Sequence, residues 1–143
     1  MNIDDSSTVV YSETIVPGRI AMGEMFDFDV CYLKTHGSVN NKIQFRDSSL
    51  LIPKEQKTNS ITMFGDKTIL TSIYLMTKKP VEKINEMINE IFSQLPDMFG
   101  SSSMMPNNSG LSIRILGNSS EEQKTTIYEI LKIIRKEILS GYT

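Results

Sequence analysis

The chain has 143 residues, a formal net charge of −2, 39% apolar and 22% charged residues. That length suits a single domain with one core, and the composition is globular rather than disordered. Lysines such as Lys54, Lys57, Lys78, Lys79 and Lys124 are scattered among acids, which excludes the basic stripe that a nucleic-acid backbone requires. Cys31 is the only cysteine, so no disulfide can close within the chain, and a reducing compartment is expected. The opening MNIDDSSTVV is acidic and polar, unlike a secretory signal, and no apolar run nears the ~20 residues that span a bilayer. A soluble, cytoplasmic protein is the expectation.

In chain order, PGRIAMGE at 17–24 is the first marked feature, with strand-like sequence on both sides. Pro17 and Gly18 suit the centre of a type II turn. In FDFDVCYL, Phe26, Phe28, Val30 and Tyr32 alternate with Met25, Asp27, Asp29 and Cys31, which predicts a half-buried strand with an aromatic inner face. HGSVNNK is rich in turn formers, namely Gly37, Asn40 and Asn41. KIQFRDSSLLIP places Ile43 and Phe45 on one face, with Gln44 and Arg46 on the other, and ends at Pro53. ITMFGDKTILTSIYLM gives two more strand segments parted by Gly65 and Asp66. From Ile69 to Met76 both faces are apolar: Ile69, Ile73 and Leu75 lie with Thr71, and Leu70, Tyr74 and Met76 with Ser72. Such a strand is covered on both sides, which calls for sheets stacked in layers or for a partner.

The period then changes. Pro80 suits a first helical position, and Val81, Ile84, Met87, Ile88, Ile91 and Phe92 recur at steps of three or four up to Pro96. PDMFGSSSMMPNNSG reads as a flexible connection whose Met98, Met104 and Met105 pack over helix ends. LSIRIL is a strand with Leu111, Ile113 and Ile115 inward and Arg114 outward. Ser119 or Ser120 caps a last helix, with Glu122 and Gln123 at capping-box spacing and a stripe of Ile127, Ile130, Leu131, Ile134 and Ile138. Gly141 suits its stop. The expected plan is one domain over 1–143: mainly β over 1–78, a helix over 79–95, a strand over 110–117 and a C-terminal helix over 119–140.

The usual chemistries find little purchase. Gly18 and Gly23 have the glycine spacing of a phosphate loop, but Glu24 and Met25 stand where it needs lysine and a hydroxyl. GDKT at 65–68 has Ser60 in place of the first glycine. His36 and Cys31 are too few for a closed metal site, and Asp27 and Asp29 beside Cys31 read first as a solvated face. No serine lies in a nucleophile elbow. Acid–base work by Glu24 with Asp27 or Asp29 would need two differing environments. The residues themselves lead no further than a binding module.

Three stretches in order lead further: SETIVPGRIAMGEMFDFD, FRDSSLLIP and GLSIRILGNSSEEQKTTIYEILKIIRKEILSG. Together they resemble the C-terminal half of the urease accessory proteins of the UreD family, called UreH in some species. Gly18, Arg19, Gly23, Glu24 and Phe26 match its G-R-x-x-x-G-E-x-F stretch. Arg46, Asp47, Leu50 or Leu51, and Pro53 match its second segment. Gly110, Leu111, Arg114, Leu116 and Gly117 match its late strand, with Arg135, Leu139 and Gly141 in the tail. Order and spacing carry the resemblance, and Gly18, Arg19, Gly23, Glu24 and Arg114 are the residues it marks for interaction or structure.

The resemblance implies a mainly β fold with two C-terminal helices, its sheets stacked in a β-helix-like arrangement, as an incomplete UreD-type fold. It also implies a non-enzymatic metallochaperone scaffold for nickel insertion into apo-urease. Its partners would be apo-urease, a helical accessory protein of the UreF type and a GTPase of the UreG type. A separate chain carrying the N-terminal half that is usual in the family would be a further partner. No cofactor would be held stably, and nickel would pass in transit; neither nucleic acid nor membrane is expected as a partner. The alternative, from another class, is a small α+β structural or interaction subunit of a different cytoplasmic assembly.

Overall fold

The computed structural model describes residues 1–16, 31–51 and 69–140. Strands β1 (Asn2–Ile3), β3 (Cys31–Val39) and β4 (Lys42–Leu51) form a three-stranded sheet in the order β1-β3-β4. Strands β2 (Val9–Ile15), β5 (Ile69–Met76), β6 (Phe99–Met104) and β7 (Gly110–Gly117) form a four-stranded antiparallel sheet in the order β2-β5-β7-β6. Helices α1 (Glu82–Ser93) and α2 (Ser120–Leu139) complete the described elements. The mainly β fold with two helices near the C-terminus is as the sequence predicts. The β-helix-like course implied by the resemblance goes beyond these two sheets and is not shown by them.

β5 is the centre. All eight of its residues are buried, and its two faces enter different cores. Ile73 and Leu75 pack with Val81, Ile84 and Ile88 around α1, Ile130 and Ile134 of α2, and Leu111, Ile113 and Ile115 of β7. Tyr74 and Met76 pack with Ile3, Val39, Phe45 and Met105 on the other side. The two-sided apolar pattern thus has a covering on each face, helices on one and the smaller sheet on the other. Both edges of β5 are paired as well, to β2 and β7. The strand therefore requires no partner chain to bury it.

β7 follows its predicted alternation and its predicted bounds. Leu111, Ile113 and Ile115 are fully buried toward the helices, and Arg114 faces the smaller sheet. α2 is capped by Ser119, whose hydroxyl accepts the Glu122 N–H at 3.3 Å, and Glu121 and Glu122 in its first turn favour the positive end of the helix dipole. Its buried stripe is Ile130, Ile134 and Ile138, continued by Thr126 and Gln123. α1 buries Ile84, Ile88 and Phe92 as its period predicts.

Several local expectations are corrected. The stretch read as a flexible connection holds β6, paired to β7 from Phe99↔Leu116 to Met104↔Leu111. Its glycine and serines have little strand preference of their own; the β7 ladder imposes the extended form. Met98 is buried in the helix-side core and Met105 in the other, while Met104 is exposed. His36 and Gly37 are strand residues of β3 rather than turn residues; the turn is confined to Asn40 and Asn41, at φ 49° and 67°, a left-handed pair that suits a two-residue hairpin. Gly37 lies under the Phe45 ring, where an added Cβ would meet Cε1 at 2.2 Å. Between Gly37 and Ser38 the register shifts, so Ile43 is exposed while Phe45 is buried, and the two do not share a buried face. Tyr32, expected inward, is 61% exposed. Pro80 precedes the N-cap Val81 instead of opening α1, and α1 ends at Ser93, short of Pro96.

Candidate functional site

Of the five residues marked for interaction or structure, Arg114 falls among the described residues; Gly18, Arg19, Gly23 and Glu24 lie outside them, as do Asp27 and Asp29. β7 turns Arg114 away from the helices and toward β4. There its guanidinium pairs with the Asp47 carboxylate. The same Asp47 Oδ2 accepts the hydroxyl of Tyr74 at 2.6 Å. Three strands of two sheets, β4, β5 and β7, therefore meet at one carboxylate oxygen. The second and third stretches of the family resemblance, far apart in sequence, are joined at Asp47 and Arg114.

Tyr74 sits between two other rings. Its centroid lies 5.7 Å from Phe45 and 6.3 Å from Tyr11, both stacked, so β4, β5 and β2 share one aromatic row. The row explains a tyrosine on an otherwise apolar strand face: its body fills the core while its hydroxyl reaches the ion pair. Sequence reading placed Tyr74 on an apolar face and missed this. The available signal was the hydroxyl, since a phenol on a strand buried on both sides needs a partner.

The space around the three residues is small. Glu13, Leu33, Thr35, Ser48, Ser49, Leu70 and Ser72 also line it, and its volume of about 10 Å³ leaves room for roughly one water. A shallow groove of about 230 Å³, bordered by Phe45, Arg46, Met104, Met105, Pro106 and Ser112, reaches the pair from the surface. The geometry is that of a tie between layers with one partly exposed guanidinium. His36 is exposed on β3, and no grouping of three or more His, Cys, Asp or Glu among the described residues could hold a metal ion.

A second tie joins the helices to the larger sheet. Gln123, expected in a capping box, is instead 2% exposed. Its Nε2 donates to the Ile69 carbonyl at 2.9 Å, and its Oε1 accepts from the Thr71 hydroxyl at 2.6 Å. Thr71 spends its proton there, so the Thr14 hydroxyl, 2.9 Å away, donates to Thr71. α2, β5 and β2 are thus held by one chain of hydrogen bonds.

The Tyr74 phenol has a pH signature. Burial first, and then the hydrogen bond and charge of Asp47, raise its pKa from 10.0 to about 12. Between these values the unfolded chain releases the proton while the folded chain keeps it. The unfolded state then binds fewer protons, so stability falls as pH rises through that window and is unaffected by this group below it. Thermal melts should show that alkaline fall, and Tyr74→Phe should flatten it. Equal slopes for the two proteins would assign the loss to another group.

The described residues build a class of mainly β protein, two sheets closed by two helices, with Asp47, Tyr74, Arg114 and Gln123 committed to ties between layers. Its sequence matches the family described as UreD urease accessory protein over residues 1–142, and the chain belongs to that family. It is 25% identical over 138 residues to the urease accessory protein UreD of Cenarchaeum symbiosum, covering 95% of this chain and 48% of that protein. Against urease accessory protein UreD 2 of Brucella canis it is 24% identical, over 99% of this chain and 48% of the relative. Against UreD of Haloarcula marismortui it is 22% identical, over 99% and 47%. The chain spans about half the length of the curated relatives it matches. No helix among the described residues is long and apolar enough to cross a membrane.

Proposed function

We propose that the chain is a non-enzymatic scaffold in urease maturation, acting in the cytoplasm to help insert nickel into apo-urease. The observation that carries this reading is the family match across residues 1–142. In this reading it works in a complex with a helical accessory protein of the UreF type and a GTPase of the UreG type. Nickel is cargo in transit rather than a resident cofactor. A layered fold whose two sheets are tied by the Arg114–Asp47 pair supports a role in presenting surfaces to partners. The Arg114–Asp47 pair would then keep the two sheets in fixed relation while those surfaces are engaged.

Co-expression of the tagged chain with apo-urease and the two accessory proteins tests the reading. Capture of these proteins and a gain in urease activity with nickel are the expected results. A folded chain that captures none of them and leaves activity unchanged would overturn it. Within the same assay, Arg19→Ala should reduce activation more than Lys57→Ala, because Arg19 lies in the G-R-x-x-x-G-E stretch and Lys57 in a polar run. Equal losses would remove Arg19 from the interaction residues.

A further inference from the structure

α1 runs beside β6 in the opposite direction. Phe92 lies over Gly100, where an added Cβ would meet its ring at 2.3 Å, and Asn89 meets Ser102. In an antiparallel ladder alternate residues turn their N–H and C=O toward the paired strand, and the others turn theirs away. Ser102, opposite Ile113 of β7, turns its groups away, and Asn89 takes both. Asn89 Nδ2 donates to the Ser102 carbonyl at 3.0 Å, and the Ser102 N–H donates to Asn89 Oδ1 at 2.8 Å. A side-chain amide carries the same donor and acceptor as a peptide unit. Asn89 therefore fills the place that a residue of a further strand would take, midway along β6. Gly100 and Met104, two positions to either side, share the outward orientation.

β6 itself offers no defence at this edge. Its sequence, FGSSSM, has no charge and no proline, the usual means of blunting an edge. Phe99 and Met104 at its ends are 63% and 40% exposed. Among the described residues, the buried side-chain polar atoms without a hydrogen-bond partner are Ser102 Oγ and Asn85 Oδ1, the latter one turn before Asn89 on α1. Neither adds to the polar hold of α1 on β6, which the two Asn89 bonds provide. Asparagine is also a poorer helix former than alanine, so α1 gains nothing locally from it. Its contribution lies at the strand.

We propose that Asn89 is a strand cap: it closes the edge of β6, and without it β6 pairs antiparallel with β6 of a second copy of this chain. The uncharged serine run has nothing to repel its own copy, and two identical antiparallel edges meet by a two-fold axis. The inference rests on α1 and β6 alone and does not depend on the maturation role.

Sedimentation and hydrogen exchange of Asn89→Ala, beside the unaltered chain, test it. The variant should keep the helical circular dichroism of the parent and associate as its concentration rises. The Gly100, Ser102 and Met104 amides should then exchange about tenfold more slowly in concentrated than in dilute solution, and those of the parent should not change. Adding Ser103→Lys, at an exposed position of β6, should abolish the association by supplying a charge in place of the cap. Asn89→Ser, too short to span both Ser102 groups, gives the same readout where alanine prevents folding. Ile88→Val, which loosens the core without touching Ser102, should not associate. A folded Asn89→Ala without concentration dependence would overturn the proposal. Association that survives Ser103→Lys, or that protects strands other than β6, would do the same. Equal association of Ile88→Val would assign the effect to lost stability and remove the cap.

Discussion

Gly110→Ala should lower the stability of the fold by about 4 kcal/mol or more, among the largest effects a single methyl group can have. Gly110 opens β7 at φ 135°, a backbone conformation that residues with a side chain rarely adopt. An added Cβ would come within 1.8 Å of the Leu75 carbonyl oxygen and 2.8 Å of its carbon. Both are backbone atoms of β5, so no side chain can swing aside. Relief would require β7 to move away from β5, and Leu111, Ile113 and Ile115 would leave the core with it. For a domain of this size the melting temperature should drop by about 10 °C or more. A drop below about 3 °C in thermal denaturation would show that the β5–β7 ladder relaxes around the new methyl.

Asp47→Ala should cost about 2 kcal/mol, since it strips both the Arg114 guanidinium and the Tyr74 hydroxyl of their shared acceptor. The cost stays below that of a fully buried pair because the Arg114 side chain is 36% exposed and can turn to water. Tyr74, at 3% exposure, cannot. Asp47→Asn keeps an oxygen for Tyr74 without the charge and should fall between the parent and Asp47→Ala. A double-mutant cycle of Asp47→Ala with Arg114→Ala isolates the pair; a coupling of about 1 kcal/mol is expected in denaturant titrations. Additive losses would mean that the pair adds nothing beyond its separate members.

The elements that the sequence announced are those whose signal is local. β7 and α2 have strong periods, of two and of three to four, and their bounds differ little from the prediction. β5 announced its burial by being apolar on both sides. The site was half legible. Arg114 stood out as the charged residue in an apolar strand, and Asp47 lay in a stretch already marked by the family resemblance. Tyr74 stayed hidden because its apolar ring matched the pattern of the face it sits on. The marks at Gly18, Arg19, Gly23 and Glu24 lie outside the described residues and await the activation assay.

By itself the sequence determined a β-rich first part followed by a helix, a strand and a last helix, the two faces of β5, a serine cap at 119 or 120, and the resemblance to the family. All but the last rest on neighbours within a few positions, where side-chain period and turn chemistry act directly, whereas the family rests on the order and spacing of three stretches along the chain. Only the tertiary structure decided that FGSSSM is a strand, that β3 runs through Gly37, that Ile43 is turned outward, and that Gln123 leaves the cap to bind β5. It also decided that Asp47, Tyr74 and Arg114 converge. Those outcomes depend on register between segments separated by as many as 67 positions, which no local preference encodes. Serines and a glycine become a strand when a neighbouring ladder demands it, and a glutamine is drawn inward when a buried carbonyl needs a donor.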